Sequence, residues 1–110
     1  MAVDIKLGEV NTFLRLRIKQ LREIEKLTGI PLDKAEEKGG VDFTMTAIYC
    51  ALKTANPTIT QEKTEDLIEA HIKGGGSMEY IAEKLEAAMI ESGLVNAVKA
   101  EKSEKESPNP

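Results

Sequence analysis

His71 is the single histidine of the chain and Cys50 its single cysteine. Structural zinc sites need four Cys or His ligands, and catalytic ones three plus a water. Glu65, Asp66 and Glu69 stand near His71, but no second histidine or cysteine falls at ligand spacing. No metal site is expected. A reactive thiol needs a base or a cation to lower its pKa. The neighbours Tyr49 and Ala51 supply neither, so Cys50 reads as a small buried hydrophobe. The run Lys73-Gly74-Gly75-Gly76-Ser77 invites comparison with a phosphate loop. That loop places Lys-Ser or Lys-Thr directly after its last glycine and follows a buried strand. Here lysine precedes the glycines, so the run reads as a helix-helix connector. The carboxylates Glu62, Glu65 and Glu69, and Glu83 with Glu86, recur at helical spacing and read as solvated faces. The sequence therefore offers no catalytic, cofactor-binding or metal residues, and an enzyme is not expected.

Composition limits what the remaining elements can build. The 110 residues fit one domain, with 41% hydrophobic but only 4% aromatic residues and no tryptophan. Such a core rests on Leu, Ile, Val, Met and Ala, and lacks the aromatic platforms that stack nucleobases. A formal net charge of -4 argues against a nucleic-acid partner, whose phosphates draw clustered cations. One cysteine makes no internal disulfide, which suits a reducing compartment. The opening Met-Ala-Val-Asp-Ile-Lys shows no basic segment followed by an apolar run, so no secretory signal is expected. No apolar stretch approaches the ~20 residues of a membrane span. The expectation is a single helical domain over residues 1–99, with a disordered, charged tail over 100–110.

Periodicity sets out the elements. Val3-Asp4-Ile5-Lys6-Leu7 alternates apolar and polar, and so does Leu14-Arg15-Leu16-Arg17-Ile18, with Gly8-Glu9-Val10-Asn11 between. Alternation marks half-buried strands, so a β-hairpin is predicted. The competing reading starts a helix as early as Thr12 and absorbs the second strand. Ile18, Leu21, Ile24 and Leu27 then form a helical stripe that Gly29 and Pro31 end. One or two helical turns are predicted within Pro31–Lys38. Asp42 is predicted to cap a central buried helix from Phe43 to Ala55, ended by Asn56-Pro57. Thr60 caps the next helix, which runs to Lys73 and buries Leu67, Ile68 and Ile72. Ser77 caps the last, Met78 to Ser92, whose stripe is Met78, Ile81, Ala82, Leu85, Ala88 and Met89, with Gly93 closing it. The predicted fold is mainly α, a small domain of about four to five helices with a short N-terminal β-hairpin.

Off the main stripe of the last helix stand Tyr80, Ala87 and Ile90, followed by Leu94, Val95 and Val98. Exposed apolar groups of this kind mark protein-binding surfaces. The same residues could instead pack on the hairpin or on a second copy of the domain. Ser77 to Leu85 is similar to the first helix of a helix-turn-helix, but Glu86-Ala87-Ala88-Met89 carries the helix on, and beyond Gly93 only Lys99 precedes the tail.

The order of landmarks resembles a known family. Leu21-Arg22-Glu23-Ile24-Glu25-Lys26-Leu27-Thr28-Gly29-Ile30-Pro31-Leu32 is similar to a helix end of the tail assembly chaperones of long-tailed bacteriophages and prophages. Ala51-Leu52-Lys53 with Asn56-Pro57-Thr58-Ile59-Thr60, then Leu67-Ile68-Glu69, the glycine-rich break, and Glu91-Ser92-Gly93 follow in the family's order. The resemblance spans Val3 to Leu94. It implies a non-catalytic protein of the bacterial host cytoplasm, absent from the mature virion. It also implies binding to the tape measure protein that sets tail length, and recruitment of tail tube subunits. Relatives often carry a frameshifted extension, and Ala100 to Pro110 sits where that junction would fall. Cofactors, nucleic acid and membrane are not expected, whereas self-association is. The alternative from another class is a small helical DNA-binding regulator of repressor or antitoxin type.

Overall fold

Val3–Leu7 (β1) and Val10–Leu14 (β2) form an antiparallel hairpin in the computed structural model, which describes residues 2–93. Two residues, Gly8 and Glu9, make the turn, and Gly8 takes φ +63° while no non-glycine residue among the described residues has positive φ. A positive φ at the first central position alone is the II′ turn, which suits a twisted hairpin. Directly opposed residues share a face, so Val3/Leu14, Ile5/Thr12 and Leu7/Val10 point one way. Ile5, Leu7 and Leu14 on that face are buried.

The second strand thus lies four residues earlier than its alternation suggested. A two-residue turn sets Val10 against Leu7, and the partner strand is used up once Leu14 meets Val3. Arg15 to Arg17 stay extended outside the ladder. The Arg15 N–H donates to the Ala51 carbonyl at 3.1 Å, and Leu16 remains buried. Their alternation is therefore real burial without strand pairing. The reading in which a helix begins at Thr12 does not hold.

Helix α1 spans Ile18–Thr28, and the Arg17 N–H donates to the Gln20 side chain at 2.9 Å where it begins. Gly29 ends it in the left-handed conformation. Only Leu21 and Ile24 of the predicted stripe are buried; Ile18 and Leu27 are 62% and 49% exposed. They sit at the helix ends, one on either edge of the buried face. A 3-10 turn at Leu32–Lys34 and the four-residue α2, Ala35–Lys38, follow as expected. Helix α3 spans Val41–Leu52 and starts at Gly40, so Asp42 lies in the first turn and does not cap it. Its carboxylate there faces the positive end of the helix dipole. Phe43, Ala47, Ile48, Cys50, Ala51 and Leu52 are all buried, which makes α3 the central helix. It packs against α1, α4, α5 and β2.

Lys53 to Ala55 form a turn, not a last helical turn. The Asn56 N–H still donates to Leu52, and Ile59 is buried as the link crosses to α4. Helix α4 spans Gln61–Lys73, with the Thr60 hydroxyl accepting from the Lys63 N–H at 3.0 Å. Of its predicted core, Ile68 is buried and Leu67 half-buried, while Ile72 is 43% exposed. Thr64 takes the remaining interior position and donates its hydroxyl to the Thr60 carbonyl at 3.0 Å. Helix α5 spans Met78–Glu91, capped by the Ser77 hydroxyl accepting from the Tyr80 N–H. Ile81, Leu85, Ala88 and Met89 are buried and Met78 is half-buried, but Ala82 is exposed. Among the described residues there are thus four helices of more than ten residues with a two-stranded hairpin: a small mainly α domain.

Candidate protein-binding surfaces

Three places bear on function: a polar clasp at the hairpin, the inner face of α1, and the exposed faces of the helices. The clasp is built around His71. Its Nδ1 accepts from the Gly8 N–H at 3.3 Å, so the neutral ring carries its proton on Nε2. The Tyr80 ring stacks on the imidazole at 5.2 Å between centroids, 25° from parallel. The Tyr80 hydroxyl in turn accepts from the Lys6 N–H at 3.1 Å. Lys84 Nζ lies 5.5 Å from the centre of the tyrosine ring. Gly76 packs directly on the Nε2 side of the imidazole, where a β-carbon would overlap the ring. His71 Nε2 is buried and has no hydrogen-bond partner among the described residues. One end of α4, one end of α5 and the hairpin turn thus meet at two stacked rings. His71 serves as a fastener, and Gly76, the last residue of the glycine run, is its seat.

Cys50 sits on the inner face of α3, fully buried. Burial, reinforced by the nearby Glu23 carboxylate, pushes its thiol from the ordinary 9.0 up to about 12. A thiol held protonated is a poor nucleophile. Glu23 pairs with Lys53 at 2.9 Å, and Lys53 Nζ also lies 4.8 Å from the centre of the Tyr49 ring. The hydrogen bonds to Glu23 and then Tyr49 raise the Lys53 pKa, which keeps the ammonium charged. These groups fasten α1 to α3. No group of three or more His, Cys, Asp or Glu side chains able to hold a metal ion occurs among the described residues.

The surface residues singled out on α5 divide. Tyr80 belongs to the clasp and packs on the hairpin side of the core, one of the two readings the sequence allowed. Ala87 is half-buried, and Ile90 is 42% exposed. Leu94, Val95 and Val98 lie outside the described residues, as does the charged tail from Ala100. No helix among the described residues is long and apolar enough to cross a membrane.

Sequence reasoning did not find the groove at one end of the domain. The end of α1, the link before α3, and the starts of α3 and α4 enclose about 750 Å³. Leu27, Ile30, Val41, Phe43 and Met45 supply its apolar lining, with Lys38, Asp42 and Glu65 at the polar positions. Leu27 and Val41, at 49% and 63% exposure, are unusually open for their type. The signal was present as Val41 directly after two glycines, but it depends on four segments distant in sequence. Its exposed lining is more polar than apolar, with Leu27 and Val41 as its open apolar points. No protein-family model, no curated protein and no solved structure matches the chain.

Proposed function

We propose that this chain is a non-catalytic tail assembly chaperone of a long-tailed phage or prophage, acting in the bacterial host cytoplasm. It binds the tape measure protein and helps to recruit tail tube subunits. The observation that carries the reading is the order of the landmarks, most of which fall at helix junctions of this fold, with Leu67-Ile68-Glu69 inside α4. Thr28-Gly29 closes α1, with the Thr28 hydroxyl donating to Ile24 and accepting from the Ile30 N–H. Asn56 to Thr60 forms the link from α3 to α4, and Gly76 of the glycine break seats His71. Ser92-Gly93 closes α5. Buried Cys50 and the engaged imidazole of His71 agree with a protein that works through surfaces. Exposed Leu27 and Val41 in the groove, together with Ile90, give a protein partner apolar points to dock on.

Co-expression with a candidate tape measure protein tests the proposal. The partner is expected to aggregate alone and to co-purify in soluble form with this chain. Val41→Asp, at an exposed position of the groove, should weaken capture while leaving the fold intact. Failure of the wild-type chain to hold the partner in solution would overturn the reading. For the frameshifted longer form, the coding DNA decides, because a slippery heptamer before the stop codon is required.

A second reading, a small helical DNA-binding regulator, draws on the cations Lys19, Arg22 and Lys26 along exposed α1. Binding to random duplex DNA that falls steeply with salt would favour it. Against it, α5 continues to Glu91 without the turn that a helix-turn-helix requires after its first helix.

A further inference from the structure

We propose that α1 and α4 are complementary faces through which copies of this chain associate head to tail. The outward ridge of α1 carries Lys19, Arg22 and Lys26, spaced by three and four residues. The outward ridge of α4 carries Glu62, Asp66 and Glu69, spaced by four and three. All six are exposed, and both helices pack their opposite faces against α3. Laid antiparallel, the two ridges match: Lys19 meets Glu69, Arg22 meets Asp66, and Lys26 meets Glu62. Antiparallel contact also sets each helix dipole against the opposite end of its neighbour.

Internal pairing leaves these charges available. The acidic residues of α1 are engaged elsewhere, Glu23 by Lys53 and Glu25 by the Leu32 N–H. Lys19, Arg22, Lys26, Glu62 and Asp66 form no ion pair among the described residues, and Glu69 has only a loose contact of 3.8 Å with exposed Lys73. Apolar side chains flank both ridges. Ile18 and Leu27 border the basic one, and Ile72, 43% exposed, borders the acidic one near the end that would face Ile18. This apolar border, and an acidic ridge of matching spacing on the same chain, favour a second copy over a phosphate backbone as the occupant. Since one chain carries both faces, the contact is heterologous and propagates into a ring or an open array. Exposed ion pairs are individually weak, so the assembly depends on all three acting together and on low salt. The inference stands independently of which other protein the chain binds.

Sedimentation of the full chain at rising concentration tests it, at about 50 mM and about 500 mM salt. The expected result is a sedimentation coefficient that climbs with concentration at low salt and returns to the monomer value at high salt. The variant Lys19→Glu/Arg22→Glu/Lys26→Glu and the variant Glu62→Lys/Asp66→Lys/Glu69→Lys should each remain monomeric, and their equimolar mixture should associate again. A wild-type chain that stays monomeric, a variant that still self-associates, or a mixture that does not associate would each overturn the proposal. So would loss of duplex DNA binding in the α1 variant with its self-association unchanged. Should circular dichroism show a triple variant unfolded, Arg22→Cys and Asp66→Cys chains are mixed and oxidised instead. A predominant disulfide between unlike chains is expected, and its absence overturns the contact.

Discussion

The α3 core and the His71 clasp hold the same domain together by opposite means. Around α3 the contacts are apolar and without direction: Ile48, Ala51 and Leu52 touch neighbours on every side and are at most 1% exposed. At the clasp, two hydrogen bonds fix the hairpin to α4 and α5 and one ring stack joins those helices, each with a defined partner. Apolar packing tolerates adjustment and stabilises the whole chain at once. Directed contacts fail one at a time. Hydrogen exchange separates the two, since regions open locally at free energies below that of global unfolding.

The largest effect should come from the core. Ile48→Ala leaves a cavity under α3 and is expected to cost about 2–5 kcal/mol. Chemical denaturation should show the midpoint falling, with all amides affected together. If only the hairpin amides responded, the two regions would not differ as described. Alkaline pH probes the core by another route. The folded-state pKa of Cys50 is raised from 9.0 to about 12, so the unfolded chain loses this proton first. Stability is therefore full below about pH 9 and falls as pH rises toward 12, by an amount on the order of a few kcal/mol. Cys50→Ala should flatten this slope in denaturation curves taken between pH 8 and 11 (about the range over which thiols ionise).

Gly76→Ala tests the clasp at its seat. The new methyl meets the imidazole, so the ring must swing out, at an expected cost of about 1–3 kcal/mol. The Lys6 and Gly8 amides should then exchange faster, while those in the middle of α3 hardly change. Tyr80→Phe keeps the stack and removes only the acceptor for the Lys6 N–H, with an expected loss of about 0.5–1.5 kcal/mol. Exchange at Lys6 but not at Gly8 would show that the two hydrogen bonds act separately. The smallest effect belongs to Lys53→Met, which removes a pair with both side chains about 30% exposed. Its cost should be within about 1 kcal/mol by urea denaturation, placing the α1 fastener closer to the surface than to either region.

Much of the fold was legible because helical spacing, caps and breakers are local. Thr60, Ser77 and Gly29 mark helix ends within a few residues of the features they control. What was not legible depends on pairing at a distance. The extent of β2 followed from the length of its partner, not from the alternation of Leu14 to Ile18. Ile18, Leu27 and Ile72 carry the right periodicity but sit where no neighbour covers them. Buried Ile59 lies on a link that has no periodicity to read. The clasp was unreadable for the same reason, since His71 meets a turn 63 residues away and Tyr80 a strand 74 away. The α1 ridge was visible in sequence, yet the net charge of -4 masked it by averaging over two acidic helices.

Having one histidine and no tryptophan gives the clasp a practical consequence. The two carbon-bound protons of the His71 ring form an isolated pair of aromatic resonances, and the tyrosine stacked 5.2 Å away shields them. That shielding lasts only while α4 and α5 hold the two rings stacked beneath the hairpin turn. The chain therefore carries its own gauge of whether the α4–α5 seat of the hairpin stays intact when a partner, or another copy of the domain, arrives.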